Sequence, residues 1–293
     1  MEPVTSKAIR KTVYCFLMFF ALRLVEELLI GPKFNINPKG VIACLGGLVI
    51  LMIFIRLDNK PLDGIGVLFS RHKFKKGFLI ALAVFSAEFM QFNSFESGTP
   101  RLTLYYDTVD HAYSAGLRSF ILWSGVCVLI SVMHALFYET AFRGLLYTLA
   151  SRGLPFRYVN LLQAALYTVW YLVPILRIVL FSMSQYTVRR VVISLLFALT
   201  YEMITGLKLG LLRRSTGAVW ICFFDHVMFS FILDMVHLQY TSASMSVSTD
   251  SNYYLRFLAF QGFSLLISII YYQRKSKKIQ QQQTAHILEE SAS

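Results

Sequence analysis

Charge is scarce in this chain. Of its 293 residues only 15% are Asp, Glu, Lys or Arg, while 56% are hydrophobic; an ordinary soluble domain carries about 25% charged residues. Such a chain cannot hide its apolar surface in one water-soluble core, which excludes the common soluble enzyme or binding domain. Paired cysteines are missing too. Cys15, Cys44, Cys127 and Cys222 stand singly within apolar runs, without the C-x-x-C spacing that metal and redox sites use, and read as small membrane-buried residues. No small-residue cleavage site follows the basic Lys7, Arg10 and Lys11 and the apolar run that begins near Thr12. That stretch is expected to be a retained first helix and not a removed signal peptide. A net charge of +12 raises nucleic acid as a partner, but Lys and Arg lie in short connectors between apolar runs and form no continuous basic face. Positive-inside sorting across a bilayer explains that distribution.

What the sequence has instead is apolar length, repeated. A membrane span needs roughly 20 mostly apolar residues, and such windows predict helices near 12–31, 41–56, 77–94, 119–140, 158–176, 191–212, 217–237 and 255–273. The expected fold is all-α, a polytopic transmembrane bundle of about eight helices. Basic residues in alternate connectors (Arg56, Lys60, Arg71, Lys73, Lys75 and Lys76; Arg143, Arg152 and Arg157; Arg213 and Arg214; Arg274, Lys275, Lys277 and Lys278) place both termini in the cytoplasm. The other loops hold few basic residues and include Asp107, Asp110 and Asp250. Arg177, Arg189 and Arg190 dissent, so segment 174–191 is expected to be re-entrant or wrongly bounded. Ser94 to Arg118 and Leu238 to Tyr254 read as exposed loops. The tail from Lys275 to Ser293 has too little apolar content to pack.

Ionisable groups inside a span are costly and mark function by default. Three clusters form a pattern. The first is Tyr138-Glu139-Thr140-Ala141-Phe142-Arg143-Gly144, where Glu139 and Arg143 are spaced to share one helical face. The second runs from Leu161 to Tyr171, with Tyr167 and Tyr171 on one face. The third runs from Thr205 through Gly206, Gly210, Thr216-Gly217 and Trp220 to Asp225-His226, with Ser230 four residues on. Its two glycines permit close helix packing, and Thr216-Gly217 predicts a tight turn. Taken one at a time, these features fit an ion pair at a helix end, interfacial aromatics and a hydrogen-bonded core histidine equally well.

In this order and spacing, the three clusters resemble the CPBP family of CAAX-processing proteases and bacteriocin-immunity (abortive-infection) proteins. Its pattern is Glu-Glu-x-x-x-Arg, then Phe-x-x-x-His, a Gly-rich helix, a Thr-Gly turn and His-x-x-x-Asn. The resemblance covers Ser119 to Leu233. It implies an intramembrane endopeptidase in a bacterial cell membrane, in which a Glu activates water while His and Asn side chains steady the oxyanion. A carboxylate is a workable base near neutral pH, and fixed donors in a dry cavity stabilise developing negative charge. The resemblance divides the chain into residues 1–118 with the first three helices, a four-helix core over 119–237, a loop and last helix over 238–273, and a basic cytoplasmic tail over 274–293.

Three positions depart from that pattern: Tyr138 stands in place of the first Glu, Tyr171 in place of the His and Ser230 in place of the Asn. Glu139, Arg143 and His226 remain. Tyrosine, with an ordinary pKa near 10, is a poor general base. The expectation is therefore reduced or lost peptidase activity, with Glu139 and His226 as the groups that would carry any residual reaction. The other reading is a non-catalytic regulator or immunity protein that binds a membrane partner such as a sensor kinase or transporter. Glu26-Glu27 repeats the acidic doublet but has no Arg five residues after Glu26. No cofactor or metal is expected, since Glu139 and His226 supply two ligands where catalytic zinc takes three. His134 lies one turn before Tyr138 and has no role in the pattern. Glu88, Glu202, Asp225 and Asp234 raise a transporter, which lacks the support of an internal repeat.

Overall fold

Apolar residues at helical spacing build nearly every element. The computed structural model describes residues 3–34, 40–57, 64–67, 70–94, 100–104, 117–181, 183, 187–240, 258–259, 261–277 and 281. Helix α1 (Pro3–Leu24) runs on through a π-helical stretch (Val25–Ile30) into α2 (Gly31–Phe34). Helices α3 (Val41–Leu57) and α4 (Arg71–Ser94) follow. Next, α5 (Leu117–Tyr138) passes through a second π-helical stretch (Glu139–Leu146) into α6 (Tyr147–Ala150). The remaining long helices are α7 (Phe156–Phe181), α8 (Val188–Thr216) and α9 (Trp220–Met235), and residues 261–277 are helical as well.

The helical class expected from the sequence holds, with one addition. Strand β1 (Pro100–Leu104) pairs antiparallel with β2 (Val236–Tyr240), Leu102 opposite Leu238. Both strands occupy stretches read from sequence as loop or helix end. Asp107, Asp110, Asp250, Lys60 and most of the tail lie outside the described residues.

Three helical stretches, Ser124–Ala150, Phe156–Phe181 and Val188–Thr216, are long and apolar enough to cross a membrane. Polarity is inverted relative to a soluble domain. Large apolar side chains stand outermost, among them Leu17 and Leu29, Val49 and Met52, Leu122 and Leu129, Leu161 and Val179, and Leu196 and Ile267. Glu26, Glu27, Glu139, Arg143, Lys208, Asp225 and His226 are buried. Water rewards the opposite arrangement.

Local chemistry sets the helix ends. Thr187 caps α8, its hydroxyl accepting from the Arg190 N–H. Gly217 ends the same helix in the left-handed region (φ +70°), its N–H returning to the Arg213 carbonyl; this is the turn predicted at Thr216-Gly217. The first N–H groups of α3 have a remote partner: the Glu26 carboxylate accepts from Ile42 at 2.8 Å and Ala43 at 2.9 Å. A carboxylate there satisfies free donors and complements the helix dipole.

The largest helix interface joins α7 to α8. Its polar seam is Gln163, which donates to the Gly206 carbonyl (2.7 Å) and to Asn160 Oδ1 (2.9 Å), and Asn160, which donates to the Leu207 carbonyl (3.2 Å). Helix α9 is locked to α8 by a buried ion pair, Lys208 to Asp225 at 2.8 Å.

Over its described residues, segment 174–191 holds the end of α7 and the start of α8. Helix α7 continues past Pro174 to Phe181, and Arg177 turns inward to Glu27 at 3.2 Å. Arg177 therefore serves an internal ion pair and carries no information about which side its connector occupies. Arg189 and Arg190 do stay exposed on the first turn of α8. Likewise, Arg71, Lys73, Lys75 and Lys76 belong to the first turns of α4 and not to a connector.

Candidate functional site

Helices α5, α7 and α9, with the second π-helical stretch, bring the motif residues together. Glu139 opens that stretch and is fully buried. Its Oε1 accepts from Arg143 Nη1 at 3.2 Å and lies 2.9 Å from His226 Nδ1. A carboxylate accepts only, so Nδ1 carries the proton in that contact. π-helical turns recur at functional sites because the extra residue re-aims side chains; here the turn keeps Glu139 and Arg143 paired inside the bundle.

Around this triad the packing is aromatic. The Tyr138 ring lies 5.3 Å from the His226 ring, 5.6 Å from Tyr171 and 5.8 Å from Trp170. Tyr167 and Tyr171 pack edge-on at 4.9 Å, and the Tyr167 hydroxyl donates to that of Tyr171 at 3.3 Å. The Arg143 guanidinium sits 4.0 Å from the Tyr167 ring centre, a desolvated cation–π contact. His134 stacks on Tyr138 at 5.6 Å, one turn away on α5.

Of the sequence-derived residues, Tyr138, Glu139, Arg143, Tyr171 and His226 converge. Ser230 stands partly buried one turn beyond His226 on α9. Tyr167 and Trp170 are members that sequence reading undervalued. So is Glu202, which lies within electrostatic reach of Arg143, Tyr167 and Tyr171. Its position one turn before Gly206 on the helix facing α7 was the available clue.

Glu26 and Glu27, set aside in sequence, form a second buried cluster on the first π-helical stretch. Glu27 bridges Arg23 at 3.1 Å and Arg177 at 3.2 Å. The Arg23 guanidinium also lies 5.7 Å from the Trp170 ring centre. Trp170 thus touches both clusters.

The chemistry open to Glu139 is narrow. One oxygen is held twice, while Oε2 is buried without a partner. A base acting on water needs that oxygen, a water and a substrate carbonyl within about 3 Å; the Tyr138 ring packs on His226, the residue that meets the other oxygen. A metal ion fits poorly, because Arg143 already neutralises the carboxylate. Among the described residues no group of three or more His, Cys, Asp or Glu could hold one.

No family model matches the chain, and neither a curated protein nor a solved structure matches it.

Proposed function

We propose that the chain is a multi-pass membrane protein of CPBP-like design whose protease centre has become a closed structural core, and that it acts by binding a membrane partner. One observation carries this reading: Glu139 is fully buried and held by Arg143 and His226, and the positions where the family places a second carboxylate and a donor carry Tyr138 and Tyr171, whose rings pack on each other at 5.6 Å. Two reactive groups have been exchanged for rings that occupy volume. The partner class suggested by the resemblance is another membrane protein, such as a sensor kinase or a transporter.

Membrane placement follows from the outward apolar faces. The proposed topology has eight spans with both termini in the cytoplasm of a bacterial cell. Helix contacts support it by gathering cation-rich ends: Thr5 on α1 bonds to Gly153, Lys275 bonds to Ser215 at the end of α8, and Phe156 packs on Tyr272.

A second reading retains residual peptidase activity through Glu139 and His226. The unpartnered Glu139 Oε2 favours it. Purified protein in liposomes, offered membrane-anchored peptides, separates the two. The proposal expects no hydrolysis, and Glu139→Gln that still captures the same partner in the membrane. Cleavage that Glu139→Gln abolishes overturns it.

A further inference from the structure

The outer face of α3 carries a groove that ends in a charge. Leu48, Val49, Met52, Ile53 and Arg56 line a shallow, open groove of about 380 Å³. The spacing places all five on one helical face. Val49, Met52 and Ile53 are exposed large hydrophobics, at 60%, 48% and 49%, and Arg56 at the groove's end is exposed too.

We infer that this groove seats one anionic phospholipid, its acyl chain along Leu48 to Ile53 and its phosphate on Arg56. Length and charge argue for that occupant. Eight residues of helix span about 12 Å, while one leaflet of a roughly 30 Å hydrocarbon core is about 15 Å deep, so the groove runs along most of one leaflet. Arg56 then falls at the headgroup level.

The neighbouring helix strengthens the charge. Gly46 packs on Leu22 and the Ala43 N–H meets Glu26, so α3 runs antiparallel to α1. Ten residues on, the same register brings Arg56 level with Thr12, at the end of α1 that carries the basic Arg10 and Lys11. Basic positions at a cytoplasmic membrane boundary attract anionic headgroups, each contributing about 1 kcal/mol; that corresponds to roughly fivefold in affinity. A zwitterionic headgroup gains no such net attraction. The inference rests on the membrane placement of the bundle and is independent of whether Glu139 catalyses.

The test is equilibrium binding of fluorescent phosphatidylglycerol and phosphatidylcholine to the detergent-solubilised full chain recovered from membranes. Saturable phosphatidylglycerol binding is expected, with phosphatidylcholine at least fivefold weaker. Arg56→Gln should weaken phosphatidylglycerol about fivefold, and Ile53→Trp, which fills the groove with an apolar ring, should weaken both lipids. Inorganic phosphate should displace neither. Equal binding of the two lipids, wild-type binding by both variants, or displacement by inorganic phosphate overturns the assignment. Peptide cleavage does not enter the measurement, and a chain absent from membranes reports failure of the placement itself.

Discussion

Glu139 and His226 stand 87 residues apart in sequence and meet at 2.9 Å, Oε1 to Nδ1, inside the bundle. The contact joins the second π-helical stretch to α9 and is completed by Arg143 at 3.2 Å. A buried triad of this kind constrains stability more than it adds to it, because a single deletion leaves an uncompensated charge.

Glu139→Gln should therefore destabilise the protein by about 3–5 kcal/mol. Glu139→Gln combined with Arg143→Met should recover most of that loss, since both charges then leave together. Unfolding in detergent micelles measures the pair of variants. Equal loss in the single and double variants would mean that Glu139 acts through packing alone.

The Lys208–Asp225 pair, 2.8 Å apart with side-chain exposures of 2% and 8%, gives a second cycle. Lys208→Met and Asp225→Asn should each be costlier than the two together, with a coupling of about 0.5–3 kcal/mol. Additive losses would show that the pair does not hold α8 against α9.

Close packing of α7 on α8 gives a glycine prediction with its own control. A Cβ on Gly206 would stand 2.8 Å from Ala164 Cα, whereas a Cβ on Gly125 meets nothing within 4 Å. Backbone cannot yield as a flexible side chain can, so Gly206→Ala should cost about 1–3 kcal/mol. Gly125→Ala should be neutral or slightly stabilising, since alanine favours helix. Thermal midpoints of the two variants decide it.

Topology is testable by cysteine labelling, because Cys15, Cys44, Cys127 and Cys222 are all buried and give low background. Ser151→Cys and Arg189→Cys lie at exposed positions on either side of α7. An impermeant maleimide should reach Arg189→Cys from outside intact cells and Ser151→Cys only after lysis. Labelling of both from one side would refute a crossing by α7.

Much of this was legible in sequence, for physical reasons. Apolar runs of span length located α3, α7 and α8 because lipid accepts such surfaces in helices alone. Glu139 and Arg143 were found because charges in apolar runs are conspicuous, and Tyr138 because it stands where the resemblance expects a Glu. Three things were not legible. The β1–β2 ribbon pairs residues more than 130 positions apart, and nothing local announces such a partner. The extension of α7 from Arg177 to Phe181 was hidden because Arg177 read as a topology signal, when its charge is taken up by Glu27 on another helix. Glu26-Glu27 was dismissed for want of an arginine downstream; the bundle supplies Arg23 from the preceding turn and Arg177 from α7.

The central claim is that the Glu139 centre is closed and unreactive. Wild-type protein and Glu139→Gln, reconstituted side by side with a library of membrane-anchored peptides and followed by mass spectrometry over many hours, test it most directly. The account predicts identical, background-level product from both. Peptide fragments that accumulate with wild type and vanish with Glu139→Gln would contradict it.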